Sequence, residues 1–538
     1  MGKNQKILLI CEVILFIACL GFNIWFSIPY YQMSSVKFQN LDNIRLSAKY
    51  APSENGKGVI IVADLAHDKS ELTSMVYELN QLGYGIYIFD YPSQGQSEGN
   101  IPFHANNGTY LAEQFYDAMV SYSQLADMQV SDIHVIGYGT GARAILQTIS
   151  LGYLQPESVT LIGTDINLTD RIQYNILNFT KDTEIDWVNR INQYTGGTFW
   201  HLISSHLDNI STNADNEKLA ELLQSTPSDG SIGSIANNVT YSKIGYSVHY
   251  LLMADVSIMK STVSYLTALD DLSYTPQNLL YARVPSLAAA FLLLSCIFFT
   301  LGKSLKKRFE YKNTQYIAFP EHFVKHKLIA WIPGLLGMVL FPLALYIIPI
   351  NYPYNDIFRL TLICAYGILM YLLYKFTNFG NDLGKFLFVS DPSKNAKGGL
   401  IGGALVIILT GIISLTGMTY LFSYLSKWLW IIIFSISCYF IFYIDEKERR
   451  LLADSKRKTL NLLLLNYLIL PIAVIIFALI GMYNTSFMVL LEIAILVFVL
   501  STEQLLISIN SPTRVNALIK TVLFQMLVFA QSTMFLNQ

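Results

Sequence analysis

The sequence predicts a polytopic membrane protein with one large water-exposed domain, a mostly parallel sheet with helices on both faces, set between its first and second membrane crossings. Three observations carry this. The chain of 538 residues is 53% hydrophobic and only 14% charged, whereas a soluble protein carries about a quarter charged residues. Its apolar residues are gathered into runs of about the length of a bilayer crossing. Between the first two runs, short β-branched stretches alternate with helical ones.

Residues 7–29 form the first run, broken by Glu12 and Asn23 and preceded by Lys3 and Lys6. It is too long for a signal-peptide core and ends in no small-residue cleavage pattern, so residues 1–30 read as a retained anchor. Apolar runs resume at about 284–302, 328–349, 357–375, 399–423, 427–444, 459–482, 487–508 and 516–535. They make 283–538 an eight-helix membrane domain, for about nine transmembrane helices in total.

Charge gives these crossings a direction. Lys303, Lys306, Lys307, Arg308, Lys325 and Lys327 fall in one loop, and Lys447, Arg449, Arg450, Lys456, Arg457 and Lys458 in another. Loops 350–356 and 483–486 hold neither Lys nor Arg. Positive loops stay in the cytoplasm, so the amino terminus is expected inside, residues 31–282 outside the cell membrane and the carboxyl terminus outside. A net charge of -2 argues against a nucleic-acid partner, which would need a clustered Lys/Arg excess. The expected partners are membrane lipids and, for the exposed domain, an envelope protein or small-molecule ligand. All five cysteines lie in apolar runs, so the exposed domain is free of disulfides.

Within residues 31–282, Val59–Val62 reads as a strand, Ser70–Leu82 as a helix and Gly85–Phe89 as the next strand. A helix over 109–126, strand Ile133–Ile136, helix Ala142–Leu151 and strand Ser158–Ile162 follow. Strands alternating with helices in this way build a parallel sheet with crossover helices.

Several segments, in order, resemble the α/β-hydrolase superfamily, in particular its lipase and serine-aminopeptidase-like members. Leu82 to Asp90 followed by Tyr91-Pro92-Ser93-Gln94-Gly95-Gln96-Ser97 is similar to the family's strand and D-x-x-G-x-G-x-S loop. Ile133 to Ala142, containing Gly137-Tyr138-Gly139-Thr140-Gly141, stands where the nucleophile elbow belongs. Phe199 to Asp208 resembles the late strand ending in the catalytic acid, and Gly245 to His249 the loop bearing the histidine. The membrane half resembles no family by its motifs.

The resemblance implies an acid at Asp208, a base at His249 and a nucleophile at position 139. Gly137 and Gly141 meet the elbow's demand for small residues on either side of the nucleophile. The nucleophile itself is Gly139, which has no side chain with which to attack a carbonyl. A second departure is Ala63-Asp64 at the end of the first strand, where the family usually has His-Gly lending a backbone N–H to the oxyanion hole. A carboxylate at Asp64 would repel a developing oxyanion.

Each assignment has a plainer alternative. Asp208 fits a helix cap for the segment Ala214–Leu223, and His249 an ordinary satisfied histidine. Thr140 as a displaced nucleophile would point into the helix start, where its hydroxyl bonds backbone. Ser93 and Ser97 are badly placed for attack, and His134 reads as core. Residues 167–197 suit a cap over the site, with Phe179, Trp187 and Tyr194 lining its roof, or else a surface excursion. No metal or cofactor is expected. In the membrane half the carboxylates Glu492 and Glu503, partly solvated near their helix ends, are candidate functional groups, because a charge in a bilayer is costly. Three functions fit: a catalytically impaired ectodomain that binds a ligand or partner at the envelope, an active ester or amide hydrolase using Asp208 and His249, and a transporter or lipid-handling protein.

Overall fold

A computed structural model describes residues 2–65, 67–102, 107–169, 181–191, 197–208, 210–224, 238–306, 318, 322–325, 327–329, 331–332, 351–353, 357–376, 385, 387, 395–414, 425–452, 455–479, 483–529 and 534–536. Helix α1 (Lys3–Gln32) leads into a sheet of β1 (Ser34–Gln39), β2 (Arg45–Ala51), β3 (Gly58–Val62), β4 (Gly85–Phe89), β5 (Ile133–Tyr138), β6 (Ser158–Ile162), β7 (Phe199–Ser204) and β8 (Val239–Lys243). The strands lie in the order β1-β2-β4-β3-β5-β6-β7-β8. β2 is antiparallel to β1 and β4, and the remaining pairs are parallel.

Helices α2 (Thr73–Gln81), α3 (Asn107–Ala126), α4 (Gly139–Ser150), α5 (Lys181–Ile191), α6 (Asn213–Gln224) and α7 (Val256–Leu269) cover both faces. A strand turns successive side chains to opposite faces, and β3 shows the result. Ile60 and Val62 join Phe115, Met119 and Ile145 of α3 and α4, whereas Val59 and Ile61 join Leu79 and Val263 of α2 and α7. Both faces are buried, which explains why the central strands read as unbroken apolar runs. The second core also takes in Phe26 and Tyr30 of α1, and Lys49 Nζ donates to Met33 O at 3.2 Å, so the anchor is packed onto the sheet it precedes.

Residues 167–197 were expected to form a cap. Residues 170–180 and 192–196, with Phe179 and Tyr194, lie outside the described residues. The remainder is α5, whose Trp187 sits in the sheet core with Arg143 of α4 over its ring at 6.0 Å. Trp187 is therefore core and lines no roof.

In the membrane half, α1 packs antiparallel to α8 (Arg283–Lys306). The two polar residues that interrupt the first apolar run find partners there: Asn23 Nδ2 donates to Ser286 Oγ at 2.6 Å, and Thr300 Oγ1 donates to Glu12 Oε1 at 3.0 Å. Next come α9 (Ile357–Phe376), α10 (Ala396–Ser414), α11 (Leu425–Leu452), α12 (Lys456–Tyr467), α13 (Ile469–Leu479), α14 (Tyr483–Ser508) and α15 (Thr513–Phe529). Among the described residues, four helical stretches are long and apolar enough to cross a membrane: Lys3–Gln32, Asn278–Leu305, Ala396–Ile413 and Val489–Ser508. Most of the run expected at 328–349 lies outside the described residues.

Two expectations about charge change. Lys327 and Lys447 are buried and Arg449 and Arg450 only partly exposed, rather than free in loops: α11 continues through the last three, and carboxylates meet Lys327, Arg449 and Arg450. Arg449 Nη1 donates to Glu503 at 2.8 Å, Lys327 Nζ to Glu448 at 2.5 Å, and Arg450 pairs with Glu446. Glu503 and Glu492 are 3% and 1% exposed, not partly solvated, and Glu503 is bridged by Arg449 and by Lys520 at 2.8 Å.

A second, three-stranded sheet joins segments distant in sequence. Met534–Leu536 pairs antiparallel with Asn351–Pro353 and parallel with Ile101–Pro102. A loop of the exposed domain thereby meets the interhelical segment at 351–353 and the end of the chain.

Candidate active site

The site forms where β3 and β5 end side by side, their registers pairing Val62 with Gly137. Beyond Gly137 the backbone turns sharply into α4. Gly139 sits at φ +52°, a left-handed conformation that costs a residue with a Cβ about 1–2 kcal/mol. The flanking glycines answer close packing: a Cβ on Gly137 would lie 2.4 Å from Ile145 Cδ1, and one on Gly141 would lie 2.5 Å from Ala63 O. The turn has the left-handed centre and the small flanking residues that the resemblance implies for an elbow.

The place of that side chain is taken. A Cβ added to Gly139 would fall 2.3 Å from both Cγ and Oδ1 of Asp64. The Asp64 carboxylate reaches across from the end of β3 and accepts backbone N–H bonds at Oδ1 from Thr140 and Leu65, both at 2.8 Å. The residue after the nucleophile position and a loop after β3 are the two sources from which an α/β-hydrolase oxyanion hole draws its donors. Oδ2 lies 2.9 Å from His249 Nε2. One carboxylate thus meets two backbone N–H donors with one oxygen and the histidine with the other.

Asp208 and His249 come together as the resemblance implied, with His249 Nδ1 2.8 Å from Asp208 Oδ2. Asp208 Oδ1 accepts from Ile210 N at 3.0 Å and Ser211 N at 2.9 Å, tying down its own loop. It does not cap α6: Thr212 Oγ1 accepts from Asp215 N at 3.2 Å at that helix start. Thr140 contributes its backbone N–H, not its hydroxyl.

The electrostatics follow from two acids on one ring. Burial disfavours the His249 cation, but Asp208 and then Asp64 outweigh it, and its pKa is raised well above the usual histidine value. Burial likewise raises Asp64, yet the His249 charge and hydrogen bond, with His67 and the Thr140 N–H, bring it down to about 2. Two acids on one buried ring thus favour its imidazolium form. An imidazolium has no lone pair with which to take a proton.

A further layer escaped the sequence reading. Buried His67 lies 2.7 Å from Glu71 through Nδ1, and burial is outweighed there by Glu71 and Asp64, which raise its pKa. The i,i+4 spacing of His67 and Glu71, three residues after Asp64, is the signal that could have revealed it. Ser97 is structural: its Oγ donates to Asp90 O at 2.6 Å and accepts from Ser47 N at 2.8 Å. At the opposite end of the sheet, His134, Glu157 and Asp270 present donor atoms within 4.8 Å of one another. Hydrogen bonds already engage them: His134 meets Asp270 at 2.9 Å and Ser158 at 2.8 Å, Tyr84 donates to Asp270 at 2.5 Å, and Lys57 donates to Glu157 at 2.8 Å. These bonds make it an ionic cluster centred on Asp270 Oδ2.

The strand order, the antiparallel second strand and the helices on both faces make the sheet domain α/β-hydrolase-like. No protein-family model and no curated protein matches the sequence. Similar solved structures include the α/β-hydrolase GrgF from a Penicillium species, at 14% identity over 44% of this chain and 98% of that one, with a TM-score of 0.34. An esterase from Pyrococcus furiosus is 15% identical over 45% of this chain and 91% of its own, TM-score 0.33. A thioesterase domain from the curacin biosynthetic pathway is 9% identical over 44% and 98%, TM-score 0.32.

Proposed function

We propose that this chain is a multi-pass membrane protein whose α/β-hydrolase-like ectodomain is catalytically silent and binds a ligand or protein partner at the cell envelope. One observation carries the reading: the Asp64 carboxylate lies where a Cβ on Gly139 would fall and accepts the Thr140 and Leu65 N–H bonds, the pair we read as the oxyanion hole. Three requirements of acyl transfer then fail together. No side chain at position 139 can attack, the donors meant for an oxyanion are bound to an anion, and the base is held as a cation. Hydrolysis by a water molecule activated at His249 meets the same obstacle. Transport gains no support from Glu503, whose charge is met by Arg449 and Lys520.

The small sheet supports the expected topology, with residues 31–282 and the carboxyl terminus outside and the amino terminus in the cytoplasm. It gathers Ile101–Pro102, Asn351–Pro353 and Met534–Leu536 at one end of the helices, as strict alternation of crossings requires. The test of silence is a fluorophosphonate probe applied to the full chain in membranes. The native protein is expected to stay unlabelled, and stoichiometric labelling at any serine near His249 would overturn the reading.

A further inference from the structure

The membrane half holds a recess of about 410 Å³ between α11 and α15 whose lining is almost wholly apolar. On α11 it is bounded by Ile432, Ile436 and Tyr439, and on α15 by Leu518, Val522 and Met526. The α15 residues recur every fourth position and therefore form one stripe along the helix. Extending that stripe by one step toward the start of α15 gives Arg514, which is exposed.

A second exposed cation stands nearby. Phe440, which also lines the recess, has its ring 4.4 Å from that of Tyr371, and Lys375 lies 6.0 Å above the Tyr371 ring. From Arg514 to Met526 the helix rises about 18 Å, a little more than the roughly 15 Å half-thickness of a bilayer's hydrocarbon core. The apolar lining from Leu518 to Met526 accounts for about 12 Å of that rise, and the positive charge of Arg514 continues the stripe at one end.

We propose that this groove holds one anionic phospholipid, an acyl chain lying between α11 and α15 and the phosphate meeting Arg514 and Lys375. The inference rests on the membrane reading above, and it fits the topology proposed there, since α15 begins on the cytoplasmic side where anionic lipid is concentrated. Long basic side chains at helix ends reach the headgroup layer in this way. The ordinary contribution of one surface cation to anionic-lipid binding corresponds to about a fivefold change in affinity.

The test uses the full chain in nanodiscs of equal phosphatidylglycerol and phosphatidylcholine, extracted gently and weighed by native mass spectrometry. The expected result is one retained phosphatidylglycerol per chain, favoured over phosphatidylcholine. Arg514→Gln should cut that preference about fivefold with an unchanged melting temperature, Arg514→Lys should keep most of it, and Val522→Trp should expel the lipid by filling the trough. Equal retention of both lipids, no retained lipid, a lipid-free dimer, or indifference to Arg514→Gln would overturn the proposal. A chain that enters nanodiscs yet retains no lipid overturns this inference alone, whereas a chain that does not enter them overturns the membrane reading as well.

Discussion

Restoring the serine should harm this protein unless Asp64 is removed with it. In Gly139→Ser the new Cβ meets the Asp64 carboxyl at 2.3 Å, far inside van der Waals contact, and the backbone there holds φ +52°. The left-handed conformation costs about 1–2 kcal/mol and overpacking a filled site about 1–3 kcal/mol, for a combined loss of about 2–5 kcal/mol. For a domain of this size that corresponds to a melting temperature lower by about 4–20 °C. Asp64→Gly in the same chain removes the clash, so the double variant should be more stable than the two single changes predict, with a coupling of about 1–3 kcal/mol. It also reopens the oxyanion hole and leaves His249 with Asp208 alone. The assay is a double-mutant cycle of thermal melts on the full chain in detergent, followed by fluorophosphonate labelling of each variant. The reasoning is refuted if Gly139→Ser melts like the native protein, or if the single variant labels as fast as the double one.

Further outcomes follow from the same geometry. His249→Gln leaves two buried carboxylates facing each other and should lower stability by about 3–5 kcal/mol, measured by chemical denaturation. The pH dependence has a defined sign. His249 has a raised pKa, so its contribution is complete below about pH 6.5 and fades as pH climbs through the higher folded value; Asp64 is depressed to about 2 from 3.8, so its contribution is complete above about pH 4 and fades toward pH 2. Melts against pH should therefore show a plateau from about pH 4 to 6.5, and Asp64→Asn should remove the acid-side loss that Asp64 causes and shrink the loss above pH 6.5. Glu503→Gln removes half of a buried pairing with Arg449 and Lys520 and should cost about 3–5 kcal/mol in detergent melts; an unchanged melt would mean the network is solvated. Tyr246→Cys, at a position 75% exposed on the outer domain, should react with a membrane-impermeant maleimide in intact cells, and protection there would reverse the topology.

The fold was legible where burial on both faces leaves a continuous apolar run, as in β3, β4, β5 and β6, whose limits fall within a few residues of the reading. The strands that escaped were β1, β2 and β8. Ser34–Gln39 and Val239–Lys243 are sheet edges with exposed, polar alternate positions, and Arg45–Ala51 carries Lys49 and Ser47 inside the fold, where only the tertiary partner reveals them as buried. In the membrane half, Arg449 and Arg450 resembled loop charges because their carboxylate partners come from other helices or from the turn before. At the site, the residue types at 64, 139, 208 and 249 were visible. That Asp64 fills the volume of the absent serine was not, since it depends on two strand ends 75 positions apart meeting side by side.

The most direct measurement is the protonation of His249 by nitrogen NMR of histidine-labelled protein at neutral pH. A row in which Asp64 plugs the site requires both ring nitrogens to carry protons, with both resonances in the imidazolium range and shifted by Asp64→Asn. A neutral ring with a bare Nε2, indifferent to that substitution, would mean the base is free and the site open to chemistry.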